Sequence, residues 1–317
     1  MNIPFGIKKY IYQLQAAMPN YDTACEFFDD EPIVFENSED VRLSFAAIAD
    51  THIVNNEAAF SNLSHVFKDA ENSKEKFDAL LMAGDISEFG LKKEYAGFFK
   101  EYDKQTAFSY IFLTMGNHDV RFLYRRNQKI IMKKACEYLK IDNGGKSYYS
   151  YDIKGYTFIV IGTEKRVLEK AHITKQQIDF LDKELKRATA NGKPAFVMCH
   201  QAFAETHGLP EVWKTGDMGE QSDEVRAVMT KYKNIFFING HLHGGVFEKT
   251  AHVLDKENNC HSISIPSYRK PNNFGHRDCG VGYYCCVYDD KVVFTARNFL
   301  KGKAVNDEYA QFSFELI

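Results

Sequence analysis

The sequence predicts a layered α/β domain built on mixed β-sheets, and three observations carry that prediction. From residue 41 to residue 239, short apolar runs of strand length alternate with helical patterns. From Val246 onward the pattern is mostly strands, with a Gly- and Pro-containing loop between Pro266 and Gly282. The composition, 44% hydrophobic and 26% charged over 317 residues, is that of an ordinary globular protein rather than a disordered one. A chain of this length buries roughly three quarters of its unfolded surface and needs no covalent staples.

The elements follow in order. Ile7, Ile11, Leu14 and Met18 recur at helical spacing and predict a short amphipathic helix, and the acidic stretch 26–40 follows as an extended arm. Residues 1–40 are therefore read as helix and arm packed on the domain, and 41–317 as one domain. Residues 41–49, 77–83 and 110–115 read as strands separated by helices at 57–70 and 91–102. A long helical pattern covers 121–139, and residues 147–161 form a hairpin closed around Lys154-Gly155. The helix at 174–190 has Thr174 as N-cap with Gln177 at N3, the pattern of a capping box. A strand at 195–199, a long irregular stretch at 201–221, a helix at 222–232 and a strand at 235–239 complete the alternating part. A loop of that length is the kind that closes over a site.

Composition also excludes several functions. Forty basic and 43 acidic residues leave a net charge of −3, so no specific nucleic acid is implied and no global attraction to an anionic membrane exists. No apolar run approaches the roughly 18–20 residues that span a bilayer, so no transmembrane segment is expected. The first 20 residues lack the continuous apolar run of a secretory leader. The seven cysteines are odd in number and contain no CxxC pair, which argues against a disulfide framework or a thiolate zinc cage. Reduced thiols in a cytoplasmic protein are the expectation.

The chemistry-bearing residues gather at the C-terminal ends of the expected strands, where loops converge in open α/β sheets. Those ends read Asp50-Thr51-His52, Gly84-Asp85, Gly116-Asn117-His118-Asp119, His200 and Gly240-His241-Leu242-His243. Each alone has an ordinary explanation, such as turn chemistry for Gly-Asp. Repetition of carboxylates and imidazoles in one context is different, because such a cluster is costly without compensating positive charge. Divalent cations supply that charge, and the number of donors fits two ions better than one. Oxygen and imidazole ligands suit Mn, Fe or Zn. In an extended segment Asp50 and His52 point the same way and can reach one ion, whereas His241 and His243, on a turn, can serve different ions.

These five segments resemble the signature of the calcineurin-like metallophosphoesterases, in the expected order from about residue 43 to 245. The resemblance implies a four-layer α/β/β/α sandwich with two mixed sheets and two divalent ions as cofactors. It implies Asp50, His52, Asp85 and His243 at one ion and Asp85, Asn117, His200 and His241 at the other, with Asp85 bridging. It implies a metal-bridging hydroxide as nucleophile, and His118, not a ligand, as the group that assists the leaving oxygen. Glu88, followed by Gly90, falls at an acidic position of the signature, where it orients His118 or simply sits solvated at a helix start. All eight positions, the seven ligands and His118, are intact, which favours an enzyme over a metal-binding interaction scaffold.

Protein Ser/Thr phosphatases of the family carry Asp-Arg-Gly after Gly-Asp and Glu after Gly-Asn-His, whereas this chain has Glu88-Phe89-Gly90 and Asp119. It is more similar to bacterial phosphodiesterases of the cyclic-nucleotide, or class III, group. The expected substrate is therefore a small phosphate ester, a phosphodiester ahead of a phosphomonoester or a nucleotide pyrophosphate. Phe203, His207 and Trp213 are candidates to wall the leaving group, with a core role as the alternative for Trp213. Arg121, Arg269, His276 and Arg277 lie within possible reach of an anion, whereas His65, His172, His252 and His261 are read as structural.

Overall fold

The computed structural model describes residue 24 and residues 31–269 and 279–317. The expected N-terminal helix, most of the arm, and the segment holding His276 and Arg277 lie outside the described residues. The end of the arm is described: Ile33 and Phe35 are buried, and the Phe35 ring meets Phe77 edge-on at 5.1 Å.

Among the described residues thirteen strands form two sheets. They are β1 (Leu43–Ile48), β2 (Phe77–Met82), β3 (Phe108–Leu113), β4 (Tyr149–Ile153), β5 (Tyr156–Val160), β6 (Ala195–Met198) and β7 (Ile235–Asn239). The remainder are β8 (Ala251–Asp255), β9 (Cys260–Ser264), β10 (Val281–Val287), β11 (Lys291–Asn298), β12 (Lys303–Ala304) and β13 (Gln311–Glu315). The first sheet runs β12-β11-β10-β1-β2-β3, with β13 also on β11, and the second runs β4-β5-β6-β7-β9-β8. Both are mixed. β1 pairs in parallel with β2 but antiparallel with β10, and β5, β6, β7 and β9 are parallel between antiparallel edges. The central β1, sequence LSFAAI, is buried at every position, as a strand covered on both faces must be.

Helices cover the outer faces. Helices α1 (Glu57–Glu71), α2 (Lys92–Tyr102) and α4 (Tyr124–Leu139) pack on the first sheet through Leu63, Val66, Phe98 and Ile131. The one-turn α3 (Asn117–Val120) precedes α4. Helices α5 (Lys175–Ala188) and α6 (Ser222–Met229) pack on the second sheet, where Leu181, Leu185 and Val225 meet Ile159, Val197 and Phe237. Between the sheets lies an aromatic core. Phe158 stacks on Phe112 at 4.6 Å and on Phe196 at 5.2 Å, and Phe45 meets Phe158 and Phe196 edge-on. Each such buried ring stabilises the sandwich by about 1.5–3 kcal/mol. The four-layer α/β/β/α arrangement with two mixed sheets agrees with expectation.

Two local expectations need correction. The helix expected over 121–139 begins at Tyr124, because Leu123 leaves helical geometry and separates α4 from the turn that carries His118. The capping box at Thr174 is half present. The Thr174 hydroxyl accepts from the Gln177 amide, but the Gln177 side chain instead clasps the Gly162 N–H and carbonyl at 2.8 and 2.9 Å. Glu164 bonds the Thr174 N–H in its place.

Candidate metal centre

Strand ends from both sheets meet at one edge. β1 delivers Asp50 and His52, β2 delivers Asp85, and the loop after β3 delivers Asn117 and His118. The second sheet delivers His200 after β6 and His241 and His243 after β7. All are buried or nearly so. Donor atoms of Asp50, His52 and His243 lie within 4.8 Å of one another, as do those of Asp85, His200 and His241. A third group, His52, Asp85 and His118, joins them. Asp85 is central: its Oδ2 lies 3.3 Å from His200 Nε2 and 3.8 Å from His52 Nε2.

The convergence of Asp50 and His52 has a different cause from the one expected. Neither is extended. Asp50, His52, Asp85, His241 and His243 all hold positive φ, between 41° and 73°. Left-handed backbone at a residue with a Cβ costs on the order of 1–3 kcal/mol and concentrates where function over-determines the geometry. The turns aim the side chains inward, so Asp50 Oδ1 lies 3.7 Å from His52 Nε2 and 3.3 Å from His243 Nε2. Glycine makes room. A Cβ on Gly116 would stand 2.1 Å from Asp85 Oδ1, and one on Gly84 would stand 2.5 Å from His200 Nδ1.

Hydrogen bonds fix which ring nitrogen is offered. His200 Nδ1 donates to the Ala83 carbonyl at 2.7 Å, so Nε2 faces Asp85 and, at 3.2 Å, Asn117 Oδ1. His52 Nδ1 lies 2.9 Å from Glu88 Oε2, which turns Nε2 toward His243 Nε2, 3.0 Å away. Such carboxylate- and carbonyl-braced imidazoles are typical of metal ligands. The Asn117 amide donates to Glu169 Oε2 at 3.0 Å, so its oxygen points inward.

The donor set fits divalent cations on its own chemistry. Asp50 Oδ1 and His241 Nε2 are buried without a hydrogen-bond partner. Burial pushes the Asp85 carboxyl up, yet the imidazoles of His200, His118 and His52 outweigh it and hold Asp85 well below the usual carboxylate range. Burial likewise lowers His200, but Asp85 and Asp50 more than offset it and raise it to about 9. A cluster that stabilises its carboxylates only by charging a buried imidazole is one that a cation would serve better.

Glu88 is placed differently from expectation. The His118 amide donates to Asp85 Oδ1 at 2.8 Å, and Nδ1 donates to the backbone carbonyl of Glu88, also at 2.8 Å. Nε2 is thus the ring atom left for proton transfer. The Glu88 carboxylate lies farther from that Nδ1, at 3.7 Å, and contacts His52 and Arg269 instead. It is neither a solvated helix-start group nor the direct brace of His118: its main chain orients His118 and its side chain orients His52.

Sequence reasoning passed over three acidic residues here. The buried Asp119 accepts from the amides of Ile86, Ser87 and Gly116 and from Tyr95 Oη, tying the Asp85 loop to the His118 turn. Glu94 accepts from the Ser87 hydroxyl and from the amides of Phe89 and Leu91. Glu169 holds Asn117 and ion-pairs with Arg121 at 3.3 Å. Asp119 stood inside the quoted motif and could have been found. Glu169 lies in an irregular segment with no local signal.

A cleft of about 350 Å³ opens over the cluster, lined by Asp85, Asn117, His118, Glu169, Val212, Trp213, His241, Leu242 and His243. Trp213 lines the cleft and is also packed against its neighbours. Its ring lies 4.5 Å from that of His241, and it packs with Ala202, Leu209 and Leu242. Phe203 and His207 do not wall the cleft. Phe203 is buried and stacks on Phe237 at 4.3 Å. His207 is buried between the Lys249 carbonyl and the Ser262 hydroxyl, at 2.6 and 2.8 Å.

Burial lowers the His207 pKa to about 4 from an ordinary 6.5, so the unfolded chain takes up the proton first. Stability conferred by the neutral ring is full above pH 6.5 and falls progressively to pH 4, by about 3 kcal/mol. His207→Gln should flatten that limb of the Tm-against-pH curve. An identical slope in the variant would rule His207 out as its source.

The calcineurin-like phosphoesterase family matches residues 43–245. A dimetal phosphatase from Danio rerio superposes with a TM-score of 0.65 at 13% identity, over 88% of this chain and 100% of that one. The purple acid phosphatase PPD1 from yellow lupin, Lupinus luteus, superposes with a TM-score of 0.56 at 15% identity, over 86% of this chain and 53% of that one. At such identities the likeness is one of fold. No curated protein matches by sequence.

Proposed function

This chain belongs to the calcineurin-like phosphoesterases, a family of metal-dependent phosphoester hydrolases, and from that premise we propose that it hydrolyses a phosphodiester at a two-ion site. The observation that carries the reading is the pair of adjacent donor clusters, Asp50 with His52 and His243 and Asp85 with His200 and His241, in which Asp85 Oδ2 also lies 3.8 Å from His52 Nε2. Asp50, His52, Asp85 and His243 would hold one ion, and Asp85, Asn117, His200 and His241 the other, with Mn, Fe or Zn all compatible with the donors. Bound there, two divalent ions supply Lewis acidity to the phosphoryl group and lower the pKa of a coordinated water.

The chain's own residues do the rest. His118 holds a proton at Nε2 for the departing oxygen, its ring fixed by the Glu88 carbonyl. Glu88, through its carboxylate, and Ala83, through its carbonyl, keep the His52 and His200 rings in the orientation a ligand needs. Support for a diester comes from the cleft wall: among the described residues that line it there is no lysine or arginine to pair with the second charge of a monoester. Among the described residues no helix is long and apolar enough to cross a membrane. The six described cysteines are free thiols, which is consistent with a reducing, cytoplasmic setting.

The test pairs metal counting after Mn²⁺ loading with turnover of bis-p-nitrophenyl phosphate and p-nitrophenyl phosphate. Two ions and a diester preference are expected. A monoester preference would overturn the diester reading, and two ions without turnover of either ester would favour a scaffold.

A further inference from the structure

We propose that Glu169 is a specificity-determining residue that sets the charge of the cleft and discriminates against dianionic phosphate groups. This rests on the phosphoester-hydrolase reading above and deepens it to the ionic state of the substrate. Glu169 is the one carboxylate lining the described cleft that is not among the expected ligands. Its two oxygens are divided between two neighbours. Oε2 accepts from the Asn117 amide at 3.0 Å, and Oε1 lies 3.3 Å from Arg121 Nη2. Its backbone is pinned as well, since Gln201 Nε2 donates to the Glu169 carbonyl at 3.0 Å. The carboxylate is therefore held at the mouth rather than free to swing away.

Arg121 follows the His118 turn directly, and its Nε is buried without a partner. Left alone, a guanidinium there would attract a phosphate dianion. Glu169 cancels that charge, so the pair presents no net positive charge to the cleft. A phosphodiester carries a single negative charge and is penalised little. A phosphomonoester or inorganic phosphate is largely dianionic at pH 8, because the second ionisation lies near pH 6 for a monoester and roughly 7 for inorganic phosphate, and is penalised more. A unit charge acting across a few ångströms of partly solvated cleft changes affinity roughly tenfold.

Trp213, the only tryptophan of the chain, lines the same cleft and reports occupancy without turnover. Mn²⁺-loaded wild type, Glu169→Gln and the double variant Glu169→Gln/Arg121→Ala would be titrated at pH 8 with inorganic phosphate and with diethyl phosphate. Glutamine keeps an acceptor for the Asn117 amide and removes the charge. Expected are a roughly tenfold tighter phosphate Kd in Glu169→Gln, a similar fall in the ratio of monoester KM to diester KM, and reversal of both in the double variant. Unchanged phosphate affinity in Glu169→Gln would overturn the proposal. So would loss of an ion with weaker phosphate binding, which would assign Glu169 to Asn117 alone. Should wild type prefer monoesters, or turn over neither ester, the diester reading falls while the fluorescence titration still decides the role of Glu169.

Discussion

Asp85→Asn should lower kcat/KM on bis-p-nitrophenyl phosphate on the order of a thousandfold or more, and take the bound ions from two to one or fewer. The reason is position. Among the described residues Asp85 alone has a carboxylate that belongs to both a His52-containing and a His200-containing donor group. Its Oδ1 also anchors the His118 amide, a bond that asparagine can still accept, so the turn survives the change. The metal-free variant should unfold at a lower Tm than the metal-free wild type, since it loses a carboxylate that the imidazoles of His200, His118 and His52 hold ionised. Metal analysis and kinetics on the same samples decide the matter. Two retained ions with near-wild-type turnover would remove Asp85 from the bridging role.

His118→Ala should behave in the opposite way toward metal. Both ions stay, and the rate falls by roughly 10²–10⁴ when the leaving group is an alkoxide. With p-nitrophenolate, a group that departs without a proton, the loss should be much smaller. That contrast separates a lost general acid from a damaged site, which would slow both esters alike. Equal losses on an alkyl and a nitrophenyl diester would refute the role given to His118.

Much of this was legible from residue order. The five strand-end segments come one after another because an open sheet sends its loops to one edge, and that regularity survives in the spacing of Asp50, Asp85, Asn117, His200 and His241. What stayed hidden depends on backbone angle or on distant contact. Nothing local says that Asp50 and His52 adopt positive φ, because aspartate and histidine, though more tolerant of that region than most residues, still enter it only uncommonly. Glu88 illustrates the second limit. Its position suggested a partner for His118, but whether the carbonyl or the carboxylate does the bonding follows from a turn whose course is set by Asp119 and Glu94. Glu169 is remote in sequence from Asn117, and only the packed chain brings them together.

The two sheets each bring an incomplete set of donors to the edge where they meet. Asp50, His52, Asp85 and Asn117 come from the first and His200, His241 and His243 from the second. An ion held there is a rivet across a seam, and its affinity becomes a gauge of how well the two halves of the molecule are mated. Loosening the Phe45, Phe112, Phe158 and Phe196 packing deep between the sheets would then register at the rim as ions lost. Variation in the interior of this protein is thus tied to its chemistry by mechanical alignment, so selection on turnover also polices the fit of the sandwich.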